Sequence, residues 1–417
     1  MNVTGICRQI WLKCVALYIV GAILNQTVVV LAGSPLKLQD TTVLSSQGWS
    51  IDTSGNLAIV GAPYDSGGYA LVYNIETGEQ LYRLQANDTV LNDHFGFSVA
   101  IDGNRAIIGA RGDDSARGSA YVFDLSTGQQ IRRLTAANRV SNTQFGQSVD
   151  ISGDLAVVST PYNRSTGGQF GSLSVFNIQS GEQLYQLDGE EGDLFYGISV
   201  ALEGDTLVKG EPANFDRSRI EVLDAFTGQM RWSYGYPEGG TRFDPKDIEI
   251  DGDLIAVGLG SSAYDMPEVV ILDRVTGTLL NRIDTRIDSE NDVYKRDIDL
   301  SDGRLVVGSW GTYNSNLDSY FVGEATVFDA LTDELIASLR TPHPESHGDF
   351  GYAVAIEGGR VLIGAPGEDS NQGIVYSYAI PEPAPILLAT FGVLAIGVTR
   401  PRSMIKELRP ISTYPAI

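Results

Sequence analysis

Phe95-Gly96-Phe97-Ser98-Val99-Ala100-Ile101-Asp102-Gly103, followed by Arg105-Ala106-Ile107-Ile108-Gly109-Ala110, is the clearest copy of a segment that recurs along this chain. The glycine after its first apolar stretch falls at Gly55, Gly103, Gly153, Gly204, Gly252, Gly303 and Gly358, in steps of 48 to 55 residues. A regular period of this size marks a repeat architecture.

Each copy holds four short apolar runs. In the second copy they are residues 98–101, 105–110, 120–124 and 130–135. The first alternates, placing Val99 and Ile101 on one face as in a half-buried strand. The second is nearly continuous in apolar residues, as in a strand covered on both faces. Between the third and fourth runs stand Thr77-Gly78, Thr127-Gly128, Thr227-Gly228 and Thr276-Gly277, with Ser180-Gly181 in the third copy. Glycine there supplies the positive φ of a tight hairpin. Helical periodicity is absent from the repeats. The expected fold is all-β: a seven-bladed β-propeller of four-stranded antiparallel blades.

The seventh copy ends in Gly373-Ile374-Val375-Tyr376-Ser377-Tyr378, with neither a Thr-Gly hairpin nor a fourth run. Ahead of the first copy, Pro35-Leu36-Lys37-Leu38-Gln39 matches an outer strand such as Leu81-Tyr82-Arg83-Leu84-Gln85. The amino-terminal strand is therefore expected to complete the last blade and remove an open edge.

These residues resemble the FG-GAP repeat, the blade unit of the integrin α-subunit propeller and of many bacterial secreted proteins. The second copy carries Phe95-Gly96 and Gly109-Ala110-Arg111, and the seventh carries Phe350-Gly351 and Gly364-Ala365-Pro366. The first keeps Gly61-Ala62-Pro63 but reads Gly48-Trp49 where Phe-Gly-x is expected, and copies three to six drift. The resemblance covers roughly residues 33–379, one domain. It implies a binding or structural role, and blades of the integrin type often carry calcium in an Asp-x-Asp-x-Asp-Gly loop. No such loop occurs. The acids in the equivalent loops are Asp65, Asp113, Asp114, Glu368 and Asp369, readable as calcium ligands or as acids that solvate a turn.

The two ends read as addresses. Residues 1–32 resemble a secretory signal, with Arg8 and Lys13 before an apolar run and a small-residue cleavage pattern ending at Ala32. The alternative is an uncleaved anchor. Both cysteines, Cys7 and Cys14, lie in this segment, so the mature chain would hold none. Residues 380–402 carry Pro381-Glu382-Pro383, an uncharged stretch at 384–399, then Arg400 and Arg402. This resembles the PEP-CTERM sorting signal of Gram-negative bacteria. That resemblance implies processing by an exosortase and transit to the cell envelope or extracellular matrix. Sixteen residues of helix span about 24 Å, short of a hydrocarbon core of about 30 Å, which suits transient membrane anchoring. A tail at 403–417 continues past the point where such signals stop. An ordinary tail anchor is the other reading.

Net charge is -23, with 52 acidic residues against 29 basic. Such a surface repels nucleic acid and anionic membranes. Arg111-Gly112-Asp113 spells the tripeptide that integrins bind, but sits where another copy reads Gly-Ala-Pro-Gly-Glu-Asp, and is read as a turn. His343 and His347 have a metal-clamp spacing, but Pro342, Pro344 and Gly348 make the segment a loop. With 3 histidines and no nucleophile elbow or phosphate loop, no catalytic set emerges. Asp224-Ala225-Phe226-Thr227-Gly228-Gln229-Met230-Arg231-Trp232 resembles the quinoprotein dehydrogenase repeat, though only this copy ends in Trp.

The leading expectation is a non-catalytic secreted or cell-surface protein bound to polysaccharide or to another surface protein. Two alternatives stand beside it: a polysaccharide hydrolase or lyase using carboxylates at one mouth of the ring beside an aromatic platform, and a quinone-dependent redox enzyme.

Overall fold

The computed structural model describes residues 35–39, 46–137, 141–162, 171–189, 199–211, 218–235, 245–259, 268–285, 297–310, 323–343 and 347–380. The expected signal segment and its cysteines, Ala32, the Pro381-Glu382-Pro383 motif, Arg400, Arg402 and the tail lie outside them. Residues 382–417 form a separate unit that is wholly outside. Among the described residues no helix is long and apolar enough to cross a membrane.

Among these residues, strands β1 to β28 assemble into seven antiparallel sheets of four. Blade 1 is β2 (Ser50–Ser54), β3 (Leu57–Ala62), β4 (Tyr69–Asn74) and β5 (Gln80–Leu84). Blade 2 is β6 (Phe95–Asp102), β7 (Arg105–Ala110), β8 (Ser119–Asp124) and β9 (Gln129–Leu134). Blades 3 to 6 repeat the order, with innermost strands β10 (Val149–Ser152), β14 (Val200–Glu203), β18 (Pro245–Asp251) and β22 (Ile298–Ser301). Blade 7 is β26 (Val354–Glu357), β27 (Arg360–Ala365), β28 (Ile374–Ala379) and, from the other end of the chain, β1 (Leu36–Leu38). The pairing is antiparallel, Leu36 opposite Ser377 and Leu38 opposite Val375. The inner strands touch in order, and β26 returns to β2, so the ring is closed.

The seven apolar clusters each join two consecutive blades. Ile59, Val72 and Leu84 of blade 1 pack with Phe95, Ile108 and Phe123 of blade 2, and Val375 and Leu362 of blade 7 pack with Val60 and Leu71 of blade 1. The core therefore lies between blades, and the second strand, covered on both faces, is buried along nearly its whole length.

That arrangement explains the repeated glycines. A Cβ at Gly61 would stand 2.1 Å from the Gly96 carbonyl oxygen, and one at Gly109 equally close to that of Gly146. At these junctions the backbone ahead of the inner strand thus rests on the end of the preceding blade's second strand, an approach open only to glycine. Gly48 and Gly364 make the same contact across the closure. Gln47 stands where Phe95 stands in blade 2. It is fully buried and donates to the Leu38 carbonyl at 3.0 Å and to Tyr73 Oη at 2.9 Å. In the sixth copy Asp302, not Gly303, takes the hairpin position with φ 52°, so the repeat register there begins one residue earlier than the glycine implies.

Candidate functional site

The inner strands begin at one mouth of the central bore. The residue that follows the contact glycine there is Trp49, Phe97, Gln147 or Tyr352, and just past the second strands of blades 1, 2 and 6 stand Tyr64, Arg111 and Trp310. These side chains meet across blades. Trp49 lies 4.5 Å from Tyr352, 4.7 Å from Tyr64 and 5.8 Å from Phe97, centroid to centroid. Trp310 reaches Tyr352 at 5.7 Å. The rings are inclined by 42° to 86°, so they form a cup, not a flat ledge. Tyr64 is 41% exposed.

A cation, Arg111, edges this cup. The Arg111 guanidinium stacks on Phe97 at 3.6 Å and donates to Gln147 Oε1 at 3.0 Å. Burial and the neighbouring Arg111 charge both hold His94, 5.1 Å from Tyr64, below the usual imidazole range.

Under the cup the bore carries carboxylates. One position of the inner strand holds Asp52, Asp150, Glu249 and Asp299 in blades 1, 3, 5 and 6, and Ala100, Ala201 and Ala355 in the others. An inner strand has a free edge toward the next blade, whose backbone N–H groups need acceptors. Asp52 accepts from Ile101 N–H at 2.7 Å, Asp150 from Leu202 N–H at 2.5 Å and Asp299 from Ile356 N–H at 2.6 Å. Each also accepts from the residue after it. Two residues above, Asp247 and Asp297 clasp Ile298 and Val354 in the same way. Glu249 differs: among the described residues its carboxylate makes no hydrogen bond.

The depth of these groups raises their affinity for protons. Burial pushes Asp52 and Asp150 up to about 7, despite the N–H donors that oppose it. Burial, then the Asp52 charge, pushes Asp299 up to about 8. Burial followed by Asp299 and Asp247 takes Glu249 well above the carboxylate range. All four nonetheless keep part of their surface on the bore.

The acids singled out in the sequence lie elsewhere. Asp113 is buried, accepting from Tyr121 Oη at 2.9 Å and Arg133 at 2.6 Å. Its Arg-Gly-Asp triplet is thus committed inward at both ends. Asp114 pairs with Arg117 at 3.3 Å, Asp65 accepts from Ser66 at 2.9 Å, Glu368 accepts from Tyr376 Oη, and Asp369 accepts from Gln39 at 2.9 Å. The structure does not gather these five into one site. Among the described residues no group of three or more His, Cys, Asp or Glu is placed to hold a metal ion.

A second ionic cluster lies within blade 4. Lys209 and Glu211 are each 2% exposed and paired, Lys209 reaches Glu221 at 2.7 Å, and Arg219 reaches Glu211 at 2.8 Å. Trp232 of the same blade donates its indole N–H to the Arg274 carbonyl at 3.1 Å, over the Gly277 hairpin of blade 5. Tyr82 and Tyr185 occupy the same position against Gly128 and Gly228, so Trp232 belongs to a general blade-docking device.

Sequence reading missed both the cup and the bore acids. The signal was available once the copies are aligned: aromatics directly after the contact glycine, and an acid three residues before the inner hairpin in copies one, three, five and six.

Residues 79–123 and 129–176 match the FG-GAP repeat family. Each match runs from the outer strand of one blade through the third strand of the next, so the family's repeat straddles two blades. No curated protein matches the chain.

Proposed function

We propose that this chain is a non-catalytic binding propeller, secreted or held at the surface of a Gram-negative bacterium, that attaches to extracellular polysaccharide through the aromatic cup. The observation that carries the reading is the cup itself: Trp49, Tyr64, Phe97, Trp310 and Tyr352, drawn from four blades to one mouth and left partly exposed. Aromatic rings bury large apolar area at small entropic cost and stack on pyranose faces. The FG-GAP matches favour a binding or structural role, and loops carried on a rigid scaffold commonly supply the binding residues. Export through residues 1–32 and exosortase handling at Pro381-Glu382-Pro383 belong to the same reading.

The hydrolase alternative draws on one observation, the carboxylates beneath an aromatic mouth. Asp52, Asp150 and Asp299 each spend their oxygens on two backbone N–H groups. Among the described residues Glu249 is then left without a second unclasped carboxylate at its level of the bore, and glycoside hydrolysis needs a working pair. The test is co-sedimentation of the protein with the producing organism's extracellular polysaccharide, with a parallel assay for released reducing ends. Pelleting without release, lost in Trp49→Ala, supports the binding reading. Reducing ends that accumulate in proportion to protein would replace it with the enzymatic one.

A further inference from the structure

Arg111 is the charge that the geometry sets against the cup. It stands just past β7, its guanidinium lies on the Phe97 ring at 3.6 Å, and Phe97 meets Trp49 at 5.8 Å. Gln147 Oε1 accepts from it at 3.0 Å, which fixes the plane of the fork and leaves most of its N–H donors open. Arg117, Arg133, Arg231 and Arg274 each have a carboxylate within 3.3 Å. Arg111, in a chain with 52 acidic residues, has no carboxylate partner among the described residues. The titratable groups facing it are the phenols of Tyr64, Tyr162 and Tyr352 and the His94 imidazole, which burial and this cation keep neutral.

The acids of the bore do not take the place of that missing partner. Asp52, Asp150 and Asp299 clasp backbone N–H groups of the next blade. The acids whose charges reach Tyr352, Asp297 and Asp349, come from blades 6 and 7, whereas Arg111 comes from blade 2. A half-buried cation without a counter-charge, set beside exposed ring faces, is complementary to an anion that carries an apolar face of its own.

We propose that the cup binds an acidic polysaccharide, a polymer of uronic acid residues, with Arg111 receiving a carboxylate while Trp49 and Tyr64 pack against the sugar faces. This rests on the polysaccharide reading above and specifies its ligand. A carboxylate meets the guanidinium fork through two parallel hydrogen bonds, and the pyranose that bears it supplies the apolar face. No covalent step is involved.

The test uses the full chain and isothermal titration calorimetry at pH 6 in low salt. The probes are a galacturonic acid hexamer, its methyl ester and a glucosamine hexamer. The acid is expected to bind at least tenfold tighter than the ester, which has the same sugar and no charge, and tighter than the glucosamine. Arg111→Gln should bring acid and ester to equal affinity. Arg111→Lys, which keeps the charge and loses the fork, should retain a reduced preference. Arg105→Gln, an equal charge change at the other end of β7, should leave the preference intact. Equal binding of acid and ester by the parent, tighter glucosamine binding, no hexamer binding, or a preference that survives Arg111→Gln would each overturn the uronate proposal. Were Arg111→Gln to misfold, an undiminished preference in Arg111→Lys would overturn the paired contact. In all these cases pelleting with native polysaccharide decides separately whether the polysaccharide reading stands.

Discussion

The side chain of Leu36 lies against Gly78 so closely that a Cβ on the glycine would stand 2.9 Å from Leu36 Cδ2. Leu36 belongs to β1, the outer strand of blade 7, and Gly78 to the outer hairpin of blade 1. Tyr82 against Gly128, Tyr185 against Gly228 and Trp232 against Gly277 repeat the relationship around the ring. Ring closure therefore reuses the contact that joins ordinary neighbours.

Two substitutions separate that contact from backbone strain. Gly78 (φ 74°) and Gly103 (φ 55°) both sit in the left-handed region, but nothing lies within 4 Å of a Cβ at Gly103. Gly103→Ala should cost about 1–2 kcal/mol, the left-handed penalty alone. Gly78→Ala should cost roughly 1 kcal/mol more, from overpacking against Leu36. Deleting residues 35–39 should lower Tm further than either. A deletion that melts with the intact protein would refute the closing role of β1.

Stability should fall as pH rises. Asp52, Asp150 and Asp299 have folded values of about 7, 7 and 8, against about 3.9 for an unfolded aspartate. Between those limits the folded chain holds more protons than the unfolded one, so this contribution is fully present below about pH 4 and is lost progressively as pH rises toward 8. Glu249→Gln removes one of the repelling charges and should raise Tm at pH 8 with little change at pH 5. Thermal melts at the two pH values check this, and equal Tm values for the parent would contradict it.

Lys209 is fixed by buried acids. Lys209→Met leaves Glu211 and Glu221 with Arg219 as their remaining partner in the cluster, and should destabilise by about 3–5 kcal/mol, as for one member of a buried ion pair. Urea unfolding measures it, and a loss below 1 kcal/mol, on the order of an exposed pair, would show the cluster to be hydrated.

Trp49 touches three rings but remains partly exposed. Trp49→Ala should weaken polysaccharide binding tenfold or more, about 1.4 kcal/mol, while the fold persists by circular dichroism. Unchanged binding would move the working face elsewhere.

A chelator should leave Tm unchanged, because Asp113 and Glu368 are held by Tyr121, Arg133 and Tyr376. A Tm lowered by EDTA and restored by calcium would return those loops to the list of metal sites.

The blade was legible in sequence because its determinants are local. Alternation marks Val99 and Ile101, an apolar run marks β7, and a glycine marks each hairpin. Closure was legible because Leu36 and Leu38 lacked a partner as the seventh copy lacked a strand. The cup was not, since Trp49 and Tyr352 are some 300 positions apart and meet only through the curvature of the ring. The bore acids looked like part of a general acidic surplus until the inner strands were set side by side. Gln47 was hidden for another reason: it departs from the repeat to serve the closure.

The closing sheet also imposes an order in time. β1 precedes the first repeat and its partner β28 belongs to the seventh, so the sheet of blade 7 cannot form until almost every repeat exists. A partly synthesised chain holds an unplaced β1. Completion of the ring thus acts as a length check: a chain that ends early leaves an open strand for proteases or for a neighbouring copy.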